Sequence, residues 1–356
     1  MGAMSIRIGV IGAGTIGRLR AATIRSNPLT TLAAVCDVNR EAATAAAAGT
    51  SATVVSTLDA FLNVPMDAVI ISSPIQLHEE QCLGAFARGL HVLCEKPLSN
   101  SIASCERIVQ AAQQAGRVLA VGFNLRYYPA MQYVRDIVQA GTIGPVDHIR
   151  VFGGHDGLNN FRADWQYRAP VSGGGAMMDV GIHMSDLARW FLGDITEVYG
   201  VMSERVWQVP GSEDNAMAVF RNAAGIAATY QASWTEWQGY EVAIEVYGPL
   251  GMVRGSYAPM QNLLITQAKP GGARTVQRKR YFDVMVREKL KSWTSTTQAT
   301  FDGELTDFLS CMRGGPGGAL ADGYAGLRSL QVADAVRRSS ESGEAVHLAP
   351  LGSMWS

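Results

Sequence analysis

The chain has 356 residues, 47% hydrophobic and 17% charged. That is enough to bury sizeable cores in two ordinary domains, and it excludes disorder, collagen and coiled coil. Lys and Arg number 30 against 31 Asp and Glu, a net charge of −1, so no basic excess exists to neutralise a phosphate backbone, and nucleic acid is not an expected partner.

Five cysteines without a CxxC pair and six histidines without ligand spacing point to reduced thiols in the cytoplasm and to no metal site. No apolar run approaches the ~20 residues of a membrane helix. The first one, Ile6 to Ile11, leads into a glycine loop and not into a signal-peptide pattern.

In chain order, the first third alternates strand and helix. Ile6–Ile11 is β-branched and apolar, and Thr15–Ser26 reads as a helix that stops before Pro28. Thr31–Cys36 is the next strand, followed by an Ala-rich helix to about Ala48. Asp67–Ser72, His91–Cys94 and Val118–Val121 read as further strands, with helices at Gln76–Arg88 and Ser101–Ala115. Short apolar strands between helices predict a parallel sheet covered on both faces.

After Gly122 the text changes. Arg126–Ala140 and Met177–Leu192 read as helices, and Val146–Gly153 as a strand. From Ile195 to Ile265 strands dominate, with Gly and Asn turns, which predicts a largely antiparallel sheet. Phe301–Met312 and Gly323–Arg338 return to helix. The expected fold class is α/β: a doubly wound Rossmann sheet, then an α/β domain with a large, mostly antiparallel open sheet.

Gly12, Gly14 and Gly17 spell GxGxxG between the first strand and the first helix. One glycine makes the tight turn, one lets the backbone approach a pyrophosphate, and one packs helix on strand. Gly14, Thr15 and Ile16 begin the helix, whose free N–H groups face the phosphates. Asp37, about 20 residues on at the end of the second strand, is placed to accept bonds from the adenosine ribose. Its carboxylate repels a 2′-phosphate, so NAD is expected over NADP. Arg40 lies close enough in sequence to meet such a phosphate, which leaves NADP possible, but a solvated arginine or one stacked on adenine is the preferred reading.

Two further motifs follow. Glu95-Lys96-Pro97 comes after the strand His91–Cys94, and Gly173-Gly174-Gly175 leads into Asp179, Gly181, His183 and Asp186. Pro97 restricts Lys96 to extended backbone at the strand end where α/β sheets bind ligands. Asp179 and His183 are spaced i, i+4 and would share a helix face. With the glycine loop, these motifs resemble the Gfo/Idh/MocA oxidoreductase family, along nearly the whole chain. The likeness takes in Ser73-Pro74, His78, Gly122-Phe123-Asn124, Arg126, Trp165 and the Gly248…Gly251 pair.

The resemblance implies a Rossmann domain at 4–123, a substrate and oligomerisation domain at 124–320, and a C-terminal helix at 321–350 that packs back on the first. It implies that substrate sits between the domains over the nicotinamide, and that the sheet's outer face makes a homodimer or homotetramer. It assigns Lys96, Asp179 and His183 to catalysis: Lys96 stabilises an alkoxide, Asp179 binds a neighbouring hydroxyl, and His183 accepts the proton. Ser73, Pro74, His78, Glu95 and Asn124 would line the cofactor. Arg126, Tyr127, Arg162, Asp164, Trp165 and Arg168 would border the substrate, while Asp186 is read as a structural partner for Arg189. Trp207, Trp234 and Trp237 are expected to fill the sheet interface.

The expected activity is NAD-dependent oxidation, or the reverse reduction, of a secondary hydroxyl on a sugar, sugar derivative or cyclitol. A redox-neutral lyase or glycosidase that retains NAD uses the same residues. A regulator that binds NAD without chemistry is disfavoured by the joint presence of Lys96, Asp179 and His183.

Overall fold

The computed structural model describes residues 5–159 and 168–349. The described chain divides into two units, one built from 5–124 and 291–327, the other from 125–159, 168–290 and 328–349. Arg162, Asp164 and Trp165, expected at the substrate, lie outside the described residues.

The first unit runs β1 (Ile6–Ile11), α1 (Thr15–Ser26), β2 (Thr30–Cys36), α2 (Arg40–Ala47), β3 (Thr53–Val55), α3 (Leu58–Leu62) and β4 (Ala68–Ile71). It continues with α4 (His78–Ala87), β5 (His91–Glu95), α5 (Ile102–Ala115) and β6 (Leu119–Gly122). A short strand, Ala321–Asp322, returns to pair antiparallel with β6. The other pairs are parallel, in the spatial order β6-β5-β4-β1-β2-β3. Every residue of β4 is buried, as a strand covered on both faces must be. The order reverses between β1 and β4, and a crevice at such a switch point binds ligands beyond the strand ends.

The second unit holds α6 (Pro129–Gln139), β7 (His148–Gly154), α7 (Ala169–Ser172) and a wide π turn (Met177–Gly181) that runs into α8 (Ile182–Leu192). Then come β8 (Ile195–Ser203), β9 (Asn215–Asn222), β10 (Ala227–Ser233), β11 (Glu241–Gly248), β12 (Gly251–Tyr257), β13 (Gln261–Gln267), β14 (Arg274–Arg280) and α9 (Phe282–Lys291). These strands order as β14-β13-β12-β11-β7-β10-β9-β8, antiparallel except where β10 meets β7. The β9 residues alternate between buried and exposed, so one face carries the core and the other is open.

The chain's last third is shared out differently from the sequence reading. Helix α10 (Thr294–Met312) belongs to the first unit, not the second. Its Leu305, Phe308 and Leu309 share a core with Ala21 and Ile24 of α1. By contrast α11 (Gly323–Ser342) gives Val332, Ala335 and Val336 to the core of the second unit. The chain passes from one unit to the other inside α11, after Leu327. Helix α10 packs on the Rossmann core through its i, i+4, i+7, i+8 row Phe301, Leu305, Phe308 and Leu309, a continuous buried stripe, and the expected C-terminal helix joins it there only by its first turn, where Gly326 lies against Val121 and Leu98.

Among the described residues, no helix is long and apolar enough to cross a membrane. No cluster of three His, Cys, Asp or Glu among them could hold a metal ion.

Candidate active site

The glycine loop has the shape a dinucleotide needs. Gly12 sits at φ +89°, and a Cβ there would lie 2.6 Å from the Ser72 carbonyl carbon. At Gly17 a Cβ would come within 1.8 Å of the Gly12 oxygen. Gly14, by contrast, faces open space, with nothing within 4 Å of where its Cβ would stand. That leaves a cradle at the start of α1, whose first turn has no acidic side chain, and helix N-terminal N–H groups favour an anion there. Thr15 is exposed and Ile16 half-buried at the same end. The cradle fits a pyrophosphate.

Asp37 lies beside this loop. Its Oδ2 accepts the Ala13 N–H at 2.6 Å and its Oδ1 the Asn39 N–H at 2.8 Å. Each oxygen has a second lone pair for a ribose hydroxyl. Arg40 is exposed at the first residue of α2. Asp37→Ala is expected to raise NADP affinity relative to NAD, because the repelling carboxylate is gone. Fluorescence titration of both reduced cofactors checks this. A wild type that already prefers NADP would shift the credit to Arg40.

Ser73 and Pro74 follow β4, and the Ser73 hydroxyl donates to Gln81 at 2.6 Å. His78 stands where a cofactor contact was expected, but its ring is 1% exposed. Nε2 lies 2.9 Å from the Ser73 oxygen, and Nδ1 lies 3.1 and 3.3 Å from the Pro97 and Leu98 oxygens. The ring ties the Ser73 turn to the Lys96 turn and so positions the backbone there.

Burial holds the His78 imidazole below its ordinary range, against the pull of those carbonyls. A base depressed on folding gives stability that is present above its unfolded pKa of ~6.5 and lost as pH falls. Melting temperature should therefore drop between about pH 7 and about pH 5, and His78→Gln should flatten that slope. An unchanged slope in the variant would assign the drop to other groups.

Lys96 is half-buried at the end of β5, and its bond to Pro97 is cis. Glu95 accepts from Arg20 Nε at 2.7 Å. Asn124 donates to Thr300 of α10 at 3.1 Å, so a helix that the sequence reading gave to the other domain holds an expected cofactor contact.

In the second unit, Asp179 lies in the π turn and His183 in the first turn of α8. The expected uninterrupted α-helix is thus a π-to-α junction, a feature frequent at functional sites. The glycines of the motif are there for close approach. A Cβ at Gly175 would be 2.2 Å from the Glu213 oxygen, and one at Gly181 would be 2.2 Å from the Tyr230 hydroxyl. Glu213, from the loop between β8 and β9, is 3% exposed. Its carboxylate accepts the Gly175 and Met177 N–H groups at 2.9 and 2.6 Å, while burial raises its pKa. It pins the start of the segment that carries Asp179 and His183.

Asp179 Oδ2 accepts from His155 Nε2 at 2.8 Å and from Trp234 Nε1 at 3.1 Å. His155 Nδ1 accepts the Gly157 N–H at 3.0 Å, which fixes the ring proton on Nε2. His155 and Glu213 escaped the sequence reading, and Trp234 was expected only to fill the sheet interface. The single textual hint was a histidine directly after β7, at a strand's C-terminal end.

Arg126, expected at the substrate, is 6% exposed and forms a bidentate pair with Asp186, Nε to Oδ2 at 2.8 Å and NH2 to Oδ1 at 2.6 Å. Asp186 therefore partners Arg126, and Arg189 bonds Asp194 at 3.1 Å. Burial is the reason: a guanidinium below the surface needs a carboxylate beside it. Tyr127 is half-buried in the short turn Asn124–Tyr127, and Arg168 is exposed ahead of α7. Trp207 donates to the Trp234 oxygen at 2.8 Å, and Trp237 is exposed.

Residues 6–123 match the oxidoreductase family with an NAD-binding Rossmann fold, and residues 131–254 match the GFO/IDH/MocA C-terminal domain. Inositol 2-dehydrogenase of Cereibacter sphaeroides is 31% identical over 337 residues, 92% of this chain and 93% of that protein. 1,5-Anhydro-D-fructose reductase of Ensifer adhaerens is 32% identical over 253 residues, 70% of this chain and 75% of that protein. A levoglucosan dehydrogenase solved with NADH and L-sorbose has the same fold, with a TM-score of 0.86 at 21% identity, covering 98% of this chain and 100% of that one. The chain belongs to the GFO/IDH/MocA oxidoreductase family, and its first unit is that family's NAD-binding domain.

Proposed function

We propose that the protein oxidises, or in reverse reduces, a secondary hydroxyl of a sugar, sugar derivative or cyclitol with NAD. The observation that carries this reading is the pairing of Asp179 and His183 one turn apart, on a segment pinned by Glu213 and braced by His155 and Trp234. The names of two relatives, an inositol dehydrogenase and an anhydrofructose reductase, support the substrate class.

Bound NAD supplies the hydride acceptor. The His183 imidazole takes the hydroxyl proton as the carbinol carbon loses hydride. The Lys96 ammonium donates to the same oxygen and stabilises the negative charge that develops on it. Asp179, held in place through Oδ2, accepts from an adjacent hydroxyl and so orients the ring. Arg168 and Tyr127 are proposed as further substrate contacts, with Ser73, Pro74, Glu95 and Asn124 along the cofactor.

A panel of cyclitols and sugars with NAD, followed at the NADH absorbance band, tests the reading. A steady rise supports it. Product without a rise would mean the redox-neutral cycle, and binding without product would mean a regulator.

The open sheet face suggests assembly. Tyr199, Val201, Met217 and Val219 on β8 and β9 are about half exposed, an apolar patch of the kind that marks an interface. A second copy of the chain is the proposed occupant, giving a homodimer or homotetramer. Val219→Lys should shift the mass seen by light scattering toward the monomer; an unchanged mass would place the contact elsewhere. The five cysteines are free thiols, a state the cytoplasm preserves, and the cytoplasm is the proposed location.

A further inference from the structure

A buried charge cluster joins Glu95, proposed above along the cofactor, to two residues that the chemistry above does not use, Arg20 and Glu304. Arg20 of α1 is 0% exposed, and its guanidinium lies between two carboxylates. Its NH2 is 2.6 Å from Glu95 Oε1, and its NH1 is 2.6 Å from Glu304 Oε2 of α10. Glu304 is also 0% exposed, and it lies outside both family-matched segments. The Phe301 ring covers the guanidinium at 3.5 Å, closing the cluster from the α10 side.

Two guanidinium nitrogens, Nε and NH2, face Glu95, and a third, NH1, faces Glu304. One cation and two anions leave the cluster with one surplus negative charge. Glu95 carries that charge to the C-terminal end of β5, next to Lys96.

The polarity of the dinucleotide site follows from Asp37. An NAD whose adenosine ribose met Asp37 at the end of β2 would bring its nicotinamide half across the switch point toward the ends of β4 and β5. Oxidised nicotinamide is a cation and reduced nicotinamide is neutral. The Lys96 ammonium disfavours the cation, and a surplus negative charge offsets that repulsion.

We infer that the Arg20–Glu95–Glu304 cluster sets the balance between the two redox states of the bound cofactor, favouring NAD⁺ over NADH, with Glu304 as its remote member. This rests on the NAD reading of the glycine loop and Asp37. Glu304 touches no reacting atom and is a positioning residue, acting through Arg20 and Glu95.

The test is equilibrium binding of NAD⁺, NADH and ADP-ribose to the full-length protein by calorimetry, for wild type, Glu304→Gln, Glu304→Asp and Glu95→Gln. Removing one partly screened unit charge should weaken NAD⁺ relative to NADH on the order of three- to tenfold in Glu304→Gln. Glu95→Gln should move the ratio in the same direction, and Glu304→Asp, which keeps the charge, should restore it. ADP-ribose lacks the nicotinamide, so its affinity should stay constant in Glu304→Gln. An unchanged NAD⁺ to NADH ratio in whichever glutamine variant folds would overturn the inference, as would equal weakening of all three ligands. Failure of wild type to bind ADP-ribose would instead strike at the NAD reading itself.

Discussion

Replacing His183 with Ala should lower the oxidation rate by roughly 10²–10⁴, the usual worth of a positioned general base. In the wild type, kcat/KM should fall at acid pH, because imidazolium cannot accept a proton. That acid limb should vanish in His183→Ala and in His183→Asn. Cofactor affinity should hardly change, since the adenosine half is proposed to rest on the glycine loop and on Asp37, beside Ala13. The ring is only 7% exposed, so the polar substitution also separates lost packing from lost chemistry. An acid limb that survives in both variants would move the base to Lys96.

Lys96→Met should be comparably damaging to turnover, by about 10²–10³, with little loss of NAD binding. The ammonium matters when charge develops on the substrate oxygen, so kcat should fall more than KM rises. Single-turnover rates beside cofactor titrations check this. A near wild-type kcat would remove Lys96 from the chemistry. Because Glu95 is anchored by Arg20 and the turn by His78, the methionine should leave the backbone there in place.

What the sequence displayed is what local physics controls. The parallel sheet was legible because β-branched runs sit between glycine turns and helices, and Asp37 was legible because the glycine loop sets its distance along the chain. β13 and β14 were not read. In β14 every residue of RTVQRKR is exposed, so this edge strand has no apolar face to announce it. The place of α10 was equally hidden, since an apolar stripe shows that a helix is buried but not against which core.

The supporting cast of the site was invisible for a related reason. His155 lies 24 residues from Asp179, Trp234 lies 55 away, and Glu213 lies 38 from Gly175. No periodicity links such pairs; the sheet and its loops bring them together. Arg126 borders a motif, but its partner Asp186 is 60 residues on and buried with it. Motifs thus named Lys96, Asp179 and His183, and only the fold showed what holds Asp179 and the turns around them.

The measurement that bears most directly on the central claim is the fate of a carbinol hydrogen. A cyclitol or sugar that supports turnover would be labelled with deuterium at the reacting carbon, incubated with NAD and analysed by mass spectrometry. Net oxidation by this site predicts a ketone product and label accumulating in the reduced cofactor in step with it. Product that forms while no reduced, labelled cofactor accumulates would contradict the account.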